Sequence, residues 1–172
     1  STTLELGDEP YLIFQECACP LAVGQNRAEV ASSLQARHEL DVILSDDGLQ
    51  HYRLARSMEI ALVDGARGLG NGFCLPAGPL REPPARLQEV DLLLVNGELT
   101  QTLPAAARRE SFTMKLEPEC WQQVKNPKEE KSLATFQASG SLAAVAGIGH
   151  PERFFTTLST LGLNFSQKSF AD

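Results

Sequence analysis

Asp46 and Asp47 stand side by side where the apolar run Val42–Leu44 ends, and Gly48, Gln50 and His51 follow within a few residues. Adjacent carboxylates are hard oxygen ligands of the kind Mg²⁺ takes while keeping most of its waters. A metal held that way bridges phosphates and offsets the charge that develops during phosphoryl transfer. Gly48 allows a tight turn, after which Leu49 returns to the core while Gln50 and His51 face a cleft. The stretch from Val42 to Tyr52 therefore reads as a metal and phosphate site. An acid pair after an apolar run is also a common chance pattern, so the alternatives of turn-forming acids and an ordinary core or surface histidine stay open at this level.

Other residues with chemistry flank it. Gly7-Asp8-Glu9-Pro10 has the form of a helix start, with Asp8 capping free amides and Pro10 in the first turn. Arg67, Arg81 and Arg86 are either solvated charges or bidentate forks for phosphate. The glycines at 65, 68, 70 and 72 do not have dinucleotide-binding spacing, and no Gly-x-x-x-x-Gly-Lys-Ser/Thr phosphate loop occurs in these 172 residues. Cys17, Cys19, Cys74 and Cys120 lack metal-ligand spacing and read as reduced thiols.

The elements that must hold these groups follow from apolar periodicity. A helix is expected from Tyr11 to Glu16, a strand over Pro20–Val23, and a helix capped by Asn26 and running to about His38 with Val30, Ala31 and Leu34 on one face. With Val42–Leu44 as the next strand, this segment reads β-α-β. Ile60–Val63 and Leu92–Val95 repeat the pattern of an apolar strand ending in a polar residue and a glycine. Three such strands, buried on both faces, bring three loops to one edge of a parallel sheet, where ligands of open α/β sheets gather. Residues 65–84, rich in glycine and proline, are either a floppy connection or an ordered active-site loop, and Phe73, Cys74, Leu75 and Leu80 favour the ordered one. Phe112–Leu116 and Leu133–Phe136 read as strands of a hairpin around the charged segment 125–131. Leu142–Val145 is a further buried strand, and His150-Pro151-Glu152-Arg153 opens a helix that Gly162 ends.

Composition bounds the class. With 42% hydrophobic and 22% charged residues the chain is that of a globular protein, and its net charge of −7 argues against a general nucleic-acid binder. No apolar run approaches the roughly 20 residues that span a bilayer, and no secretory signal is visible, so an intracellular protein is expected.

Five motifs taken together resemble one family. Gly7-Asp8-Glu9-Pro10, Asp46-Asp47-Gly48-Leu49-Gln50-His51, Gly70-Asn71-Gly72, Leu75-Pro76-Ala77-Gly78-Pro79-Leu80-Arg81-Glu82 and Ala146-Gly147-Ile148-Gly149-His150-Pro151 are similar to stretches of the tetraacyldisaccharide 4′-kinases of lipid A biosynthesis. The resemblance implies transfer of the γ-phosphoryl of ATP to the 4′-hydroxyl of tetraacyldisaccharide 1-phosphate, a lipid A precursor, at the cytoplasmic face of the bacterial inner membrane. It implies a P-loop-type three-layer α/β/α fold with a mostly parallel sheet, a β-hairpin linker and the beginning of a second α/β domain, divided at residues 1–110, 111–138 and 139–172.

The same resemblance makes Asp46 and Asp47 the Mg²⁺ acids and Asp8 and Asp47 the catalytic carboxylates, Asp8 accepting the proton of the sugar hydroxyl. His51, Arg81, Gln50 and Glu9 become contacts to the acceptor. In the family an apolar membrane helix and a phosphate loop precede the matching region and a histidine pair follows it. This chain is therefore expected to be an internal segment that is inactive alone and prone to self-association through uncovered faces. His150 stands where relatives often have asparagine. Two other readings of the residues are a non-catalytic α/β binding or assembly module and a Mg²⁺-dependent phosphohydrolase.

Overall fold

The computed structural model describes residues 7–107, 109–137 and 141–170, and of Asp8 and Ala106 the backbone alone. The chain divides into two compact units, residues 1–115 and 116–172. Both are mixed α/β with parallel strands.

The first unit opens with helix α1, Asp8–Glu16. Its cap is Gly7, at φ 86°, and Asp8 is the first helical residue; the expected Asp8 cap is shifted by one position. Helix α2, Arg27–Arg37, begins where the sequence places it, because the Asn26 side chain accepts from the Glu29 amide at 3.5 Å and donates to the Glu29 carboxylate at 2.6 Å. Strands β1 (Ile60–Asp64), β2 (Leu92–Asn96) and β3 (Phe112–Met114) form one parallel sheet in the order β1-β2-β3, with Asp64 opposite Asn96. Ala61, Val63, Val90, Leu93, Leu103 and Ala107 are its buried core, with Leu49, Leu69 and Leu87 packed against it. Leu93 is fully buried, worth roughly 1.5–3 kcal/mol by transfer.

Two expectations about the sheet are corrected. Pro20–Val23 and Val42–Leu44 are not strands, since a strand exists through its ladder and no described strand pairs with them; Val42 is 70% and Leu44 91% exposed. Nor is β1 buried on both faces: Ala61 and Val63 point inward while Ile60 and Leu62 are 50% and 57% exposed. The described residues thus cover one face of β1, which leaves the three-layer arrangement unformed among them.

Residues 65–84 are closed by their own hydrogen bonds. Asp64 Oδ1 accepts the amides of Ala66 and Arg67, Asn71 donates to the Ala77 carbonyl at 2.9 Å, and the Leu75 amide reaches the Leu80 carbonyl at 2.9 Å. A Cβ on Gly78 would collide with Asn71 Oδ1 and the Phe73 carbonyl, so only glycine fits there.

In the second unit, β4 (Cys120–Gln123) and β5 (Asn126–Ser132) form an antiparallel hairpin. The expected partners were displaced: residues 112–114 pair with β2 instead, and Leu133–Phe136 is a short 3-10 turn. Strands β6 (Leu142–Ala146) and β7 (Phe165–Ser169) are parallel and joined through helix α3, Pro151–Thr160, which ends before Gly162 at φ 78° as expected. Phe155 and Leu158 pack on Ala144 and Ala146, and an apolar cleft of about 230 Å³ opens among Trp121, Phe136, Leu142, Phe154 and Phe165. No described helix is long and apolar enough to cross a membrane.

Candidate active site

The turn carrying the acid pair is built by a strained residue and a crowded one. Asp47 has φ 48°, a left-handed conformation that aspartate tolerates better than most side chains. Gly48, expected to permit a turn that a bulkier residue would resist, sits where a Cβ would stand a tight 3.1–3.3 Å from Ser45 atoms, while the left-handed backbone falls on Asp47. The carbonyl of Gly48 then accepts the His51 amide at 3.0 Å, and the His51 carbonyl accepts the Leu54 amide at 2.9 Å. Leu49 packs into the core as expected.

This turn turns Gln50 and His51 toward the start of α2. Gln25, Asn26, Arg27, Gln50, His51 and Arg53 are among the residues that line a cleft of about 520 Å³ at the start of this helix, so two arginines and a histidine stand on its walls. Asp46 and Asp47 are exposed beside it in sequence, and neither carboxylate has a partner among the described residues. No cluster of three or more His, Cys, Asp or Glu able to hold a metal occurs among the described residues. Two adjacent, hydrated carboxylates suit Mg²⁺, which is bound through one or two acids plus water and phosphate, and do not suit a caged Zn²⁺.

A second layer of polar groups, which sequence reasoning missed, ties this turn to the far side of residues 65–84. Glu82 accepts from Gln50 Nε2 at 2.6 Å and from the Tyr52 hydroxyl at 2.5 Å, and lies 3.4 Å from Arg86 Nε. Glu59 accepts Arg86 through both oxygens at 2.7 and 2.8 Å and pairs with Arg56 at 2.8 Å. The hydrogen bond from Tyr52, together with Gln50 and the arginines, holds the Glu82 carboxyl below the usual range, and the same bond to an anion pushes the Tyr52 phenol above its ordinary value. Hydrogen bonding to Glu59 raises Arg86 further still. The spacings Arg56-x-x-Glu59, Glu82-x-x-x-Arg86 and Arg86-x-x-Glu89 carried the signal for part of this network. The long-range pairs Gln50–Glu82 and Glu59–Arg86 left none.

The structure brings Gln50 and His51 to one cleft and ties Gln50 to Glu82, the neighbour of Arg81. Arg81 itself is exposed and does not line the cleft, and Glu9 is exposed on α1. The Asp8 carboxylate lies outside the described residues. Of the three arginines considered as phosphate forks, Arg86 is spent on structural ion pairs.

The family model described as tetraacyldisaccharide-1-P 4′-kinase matches residues 1–172. A tetraacyldisaccharide 4′-kinase of Pseudomonas putida (strain W619) is 51% identical over 161 residues, covering 94% of this chain and 45% of that protein. Proteins of the same name from Hydrogenovibrio crunogenus (strain DSM 25203 / XCL-2) and Legionella pneumophila (strain Lens) are 47% and 44% identical over 97% of this chain. The chain spans about half the length of these curated relatives. No solved structure matches it. With the family model matched over residues 1–172 and relatives of that name about half identical over nearly the whole chain, the chain belongs to the tetraacyldisaccharide-1-P 4′-kinase family.

Proposed function

We propose that this chain is the metal and acceptor side of a kinase that transfers the γ-phosphoryl of ATP to the 4′-hydroxyl of tetraacyldisaccharide 1-phosphate. The reading is carried by the likeness to proteins named for that reaction over nearly the whole chain. The cleft supports it: an imidazole, a carboxamide and two guanidiniums beside a carboxylate pair are the groups that a phosphorylated sugar and a hydrated cation require.

In this reading Asp46 and Asp47 hold Mg²⁺ through oxygen, and Asp47 acts in the reaction as well as in metal binding. When bound there, the cation would supply charge to offset what grows on the transferred group. Asp8 accepts the proton of the sugar hydroxyl, with Glu9 beside it. A carboxylate suffices as base, because the loose transition state places little charge on the nucleophile and most of the catalysis is positioning. His51 and Gln50 orient the sugar from the cleft wall, Arg27 and Arg53 attract its phosphate, and Arg81 meets it from the end of the glycine-rich segment. The parallel sheet is read as part of a P-loop-type three-layer α/β/α domain, with residues 1–110, 111–138 and 139–172 as kinase-like part, two-stranded linker and start of a second α/β domain. Peripheral association with the cytoplasmic face of the inner membrane follows from a substrate anchored there by its acyl chains.

The test is transfer of labelled phosphate from ATP to the purified disaccharide lipid by the intact gene product. Asp8→Ala and Asp46→Ala are each expected to lower kcat by about 100-fold or more while acceptor KM changes little, as for interactions made only in the transition state. Near-normal turnover in both would defeat the site assignment, and release of free phosphate without lipid product would make the protein a phosphohydrolase. The 172-residue chain alone is expected to leave the lipid unphosphorylated, since it contains no phosphate-loop motif.

A further inference from the structure

The turn after the acid pair has local hydrogen bonds but little core of its own. Its bonds from His51 to Gly48 and from Leu54 to His51 fix its shape, and only Leu49 ties it to the hydrophobic cluster. Gln50 and Tyr52 tie its side chains to Glu82, and its backbone carbonyls are held by the Arg56 side chain. Arg56 Nη1 donates to the Gly48 carbonyl at 2.7 Å and to the Leu49 carbonyl at 3.0 Å, while Nη2 pairs with Glu59 at 2.8 Å. Glu59 is in turn joined to the sheet. Its amide donates to Asp91 Oδ2 at 2.7 Å, its carbonyl accepts the amides of Asp91 and Leu92, and its carboxylate holds Arg86. The side chains of Arg56, Glu59 and Arg86 are only 19%, 14% and 15% exposed, so these charge-assisted bonds are largely shielded from water.

From this geometry we infer that Arg56, backed by Glu59, is a positioning residue of the phosphoryl-transfer reaction: it holds the Asp46–His51 turn at a fixed place relative to the start of β1 and β2. The inference rests on reading that turn as the metal and acceptor side. Arg56 is not among the residues that line the cleft of Gln50 and His51. It works by satisfying two carbonyls of the turn at once while a second nitrogen is held by the carboxylate. Only a planar fork does this, since an ammonium is a single point charge that serves either the carbonyls or Glu59. Removing it leaves the Glu59–Arg86 pair and the sheet in place, so the loss is confined to the turn.

The intact gene product is compared with Arg56→Ala and Arg56→Lys. Arg56→Ala is expected to lower kcat by about 10–100-fold, the usual range for loss of an outer-shell partner, and to change acceptor KM less than about threefold. Arg56→Lys is expected to recover part of the loss through one carbonyl bond. Amide hydrogen exchange gives the readout apart from activity: the His51 and Leu54 amides exchange faster in Arg56→Ala, while the amides of β1 and β2 keep their protection. Unchanged kcat with unchanged exchange at His51 and Leu54 overturns the inference. Equal loss of protection throughout β1 and β2 overturns it too, because Arg56 would then be a general stabiliser. A wild-type protein that transfers nothing to the disaccharide defeats the functional reading before any substitution is made, whereas an active wild type with Arg56→Ala equal to it defeats this inference alone.

Discussion

Glu82 collects a carboxamide, a phenol and a guanidinium within 3.4 Å, and each of them favours its charged form. Its folded pKa is therefore below the ordinary value of about 4.3. The stability it contributes is full above that value and is lost as pH falls through the folded pKa. Glu82→Gln is expected to melt below the wild type at neutral pH, with the gap closing as pH drops under about 4. Tyr52 mirrors it: its raised pKa means a contribution present below the ordinary phenol value of about 10 and lost as pH rises through the folded one. In a Tyr11→Phe background, phenolate absorbance reports Tyr52 alone, and its midpoint is expected above about 10 and to return there in Glu82→Gln. A midpoint indifferent to Glu82 would show that the two side chains do not meet in solution.

At the scale of elements, the close approach of two loops past β1 and β2 depends on Gly65. A Cβ at that position would stand 2.5 Å from the Glu98 carbonyl oxygen and 2.7 Å from its carbon, against backbone that is itself tied down. The Gly65 amide donates to Asn96 and its carbonyl accepts from Thr100, both at 3.0 Å. Gly65→Ala is expected to cost about 1–3 kcal/mol, the usual range for overpacking, read as a lower urea midpoint. Gly147→Ala is the control, because its φ is outside the left-handed region and the nearest atom lies 3.8 Å from its Cβ position, an ordinary contact. If the two variants unfold alike, the crowding at Gly65 is not what sets its identity.

For the molecule as a whole, the notable property is apolar surface left open. Ile60, Leu62, Val42, Leu44 and Met58 are all at least half exposed in the first unit, and Val145 is 56% exposed in the second. Exposed β faces and uncovered strand edges promote association. The 172-residue chain is expected to self-associate as its concentration rises, and Leu62→Lys to weaken that association in sedimentation. A monomer over the whole range, unchanged by Leu62→Lys, would count against it.

What the sequence determined by itself is local. Helix α2 with its Asn26 cap, the end of α3 at Gly162, the strands β1, β2 and β6 and the return of Leu49 to the core were all legible, because capping, left-handed turns and apolar periodicity act between residues a few positions apart. The proposed roles of the acid pair and His51 rest on the same kind of local reading, of residue types a few positions apart. Tertiary structure decided the rest. Val42–Leu44 has strand composition but no ladder, and residues 112–114 joined β2 rather than a hairpin, because a strand is made by a neighbour that composition cannot name. The seating of the turn through Arg56, Glu59, Arg86 and Glu82 likewise joins residues up to 32 positions apart. Such pairings arise only once the sheet has brought their backbones together, and no spacing rule reaches that far.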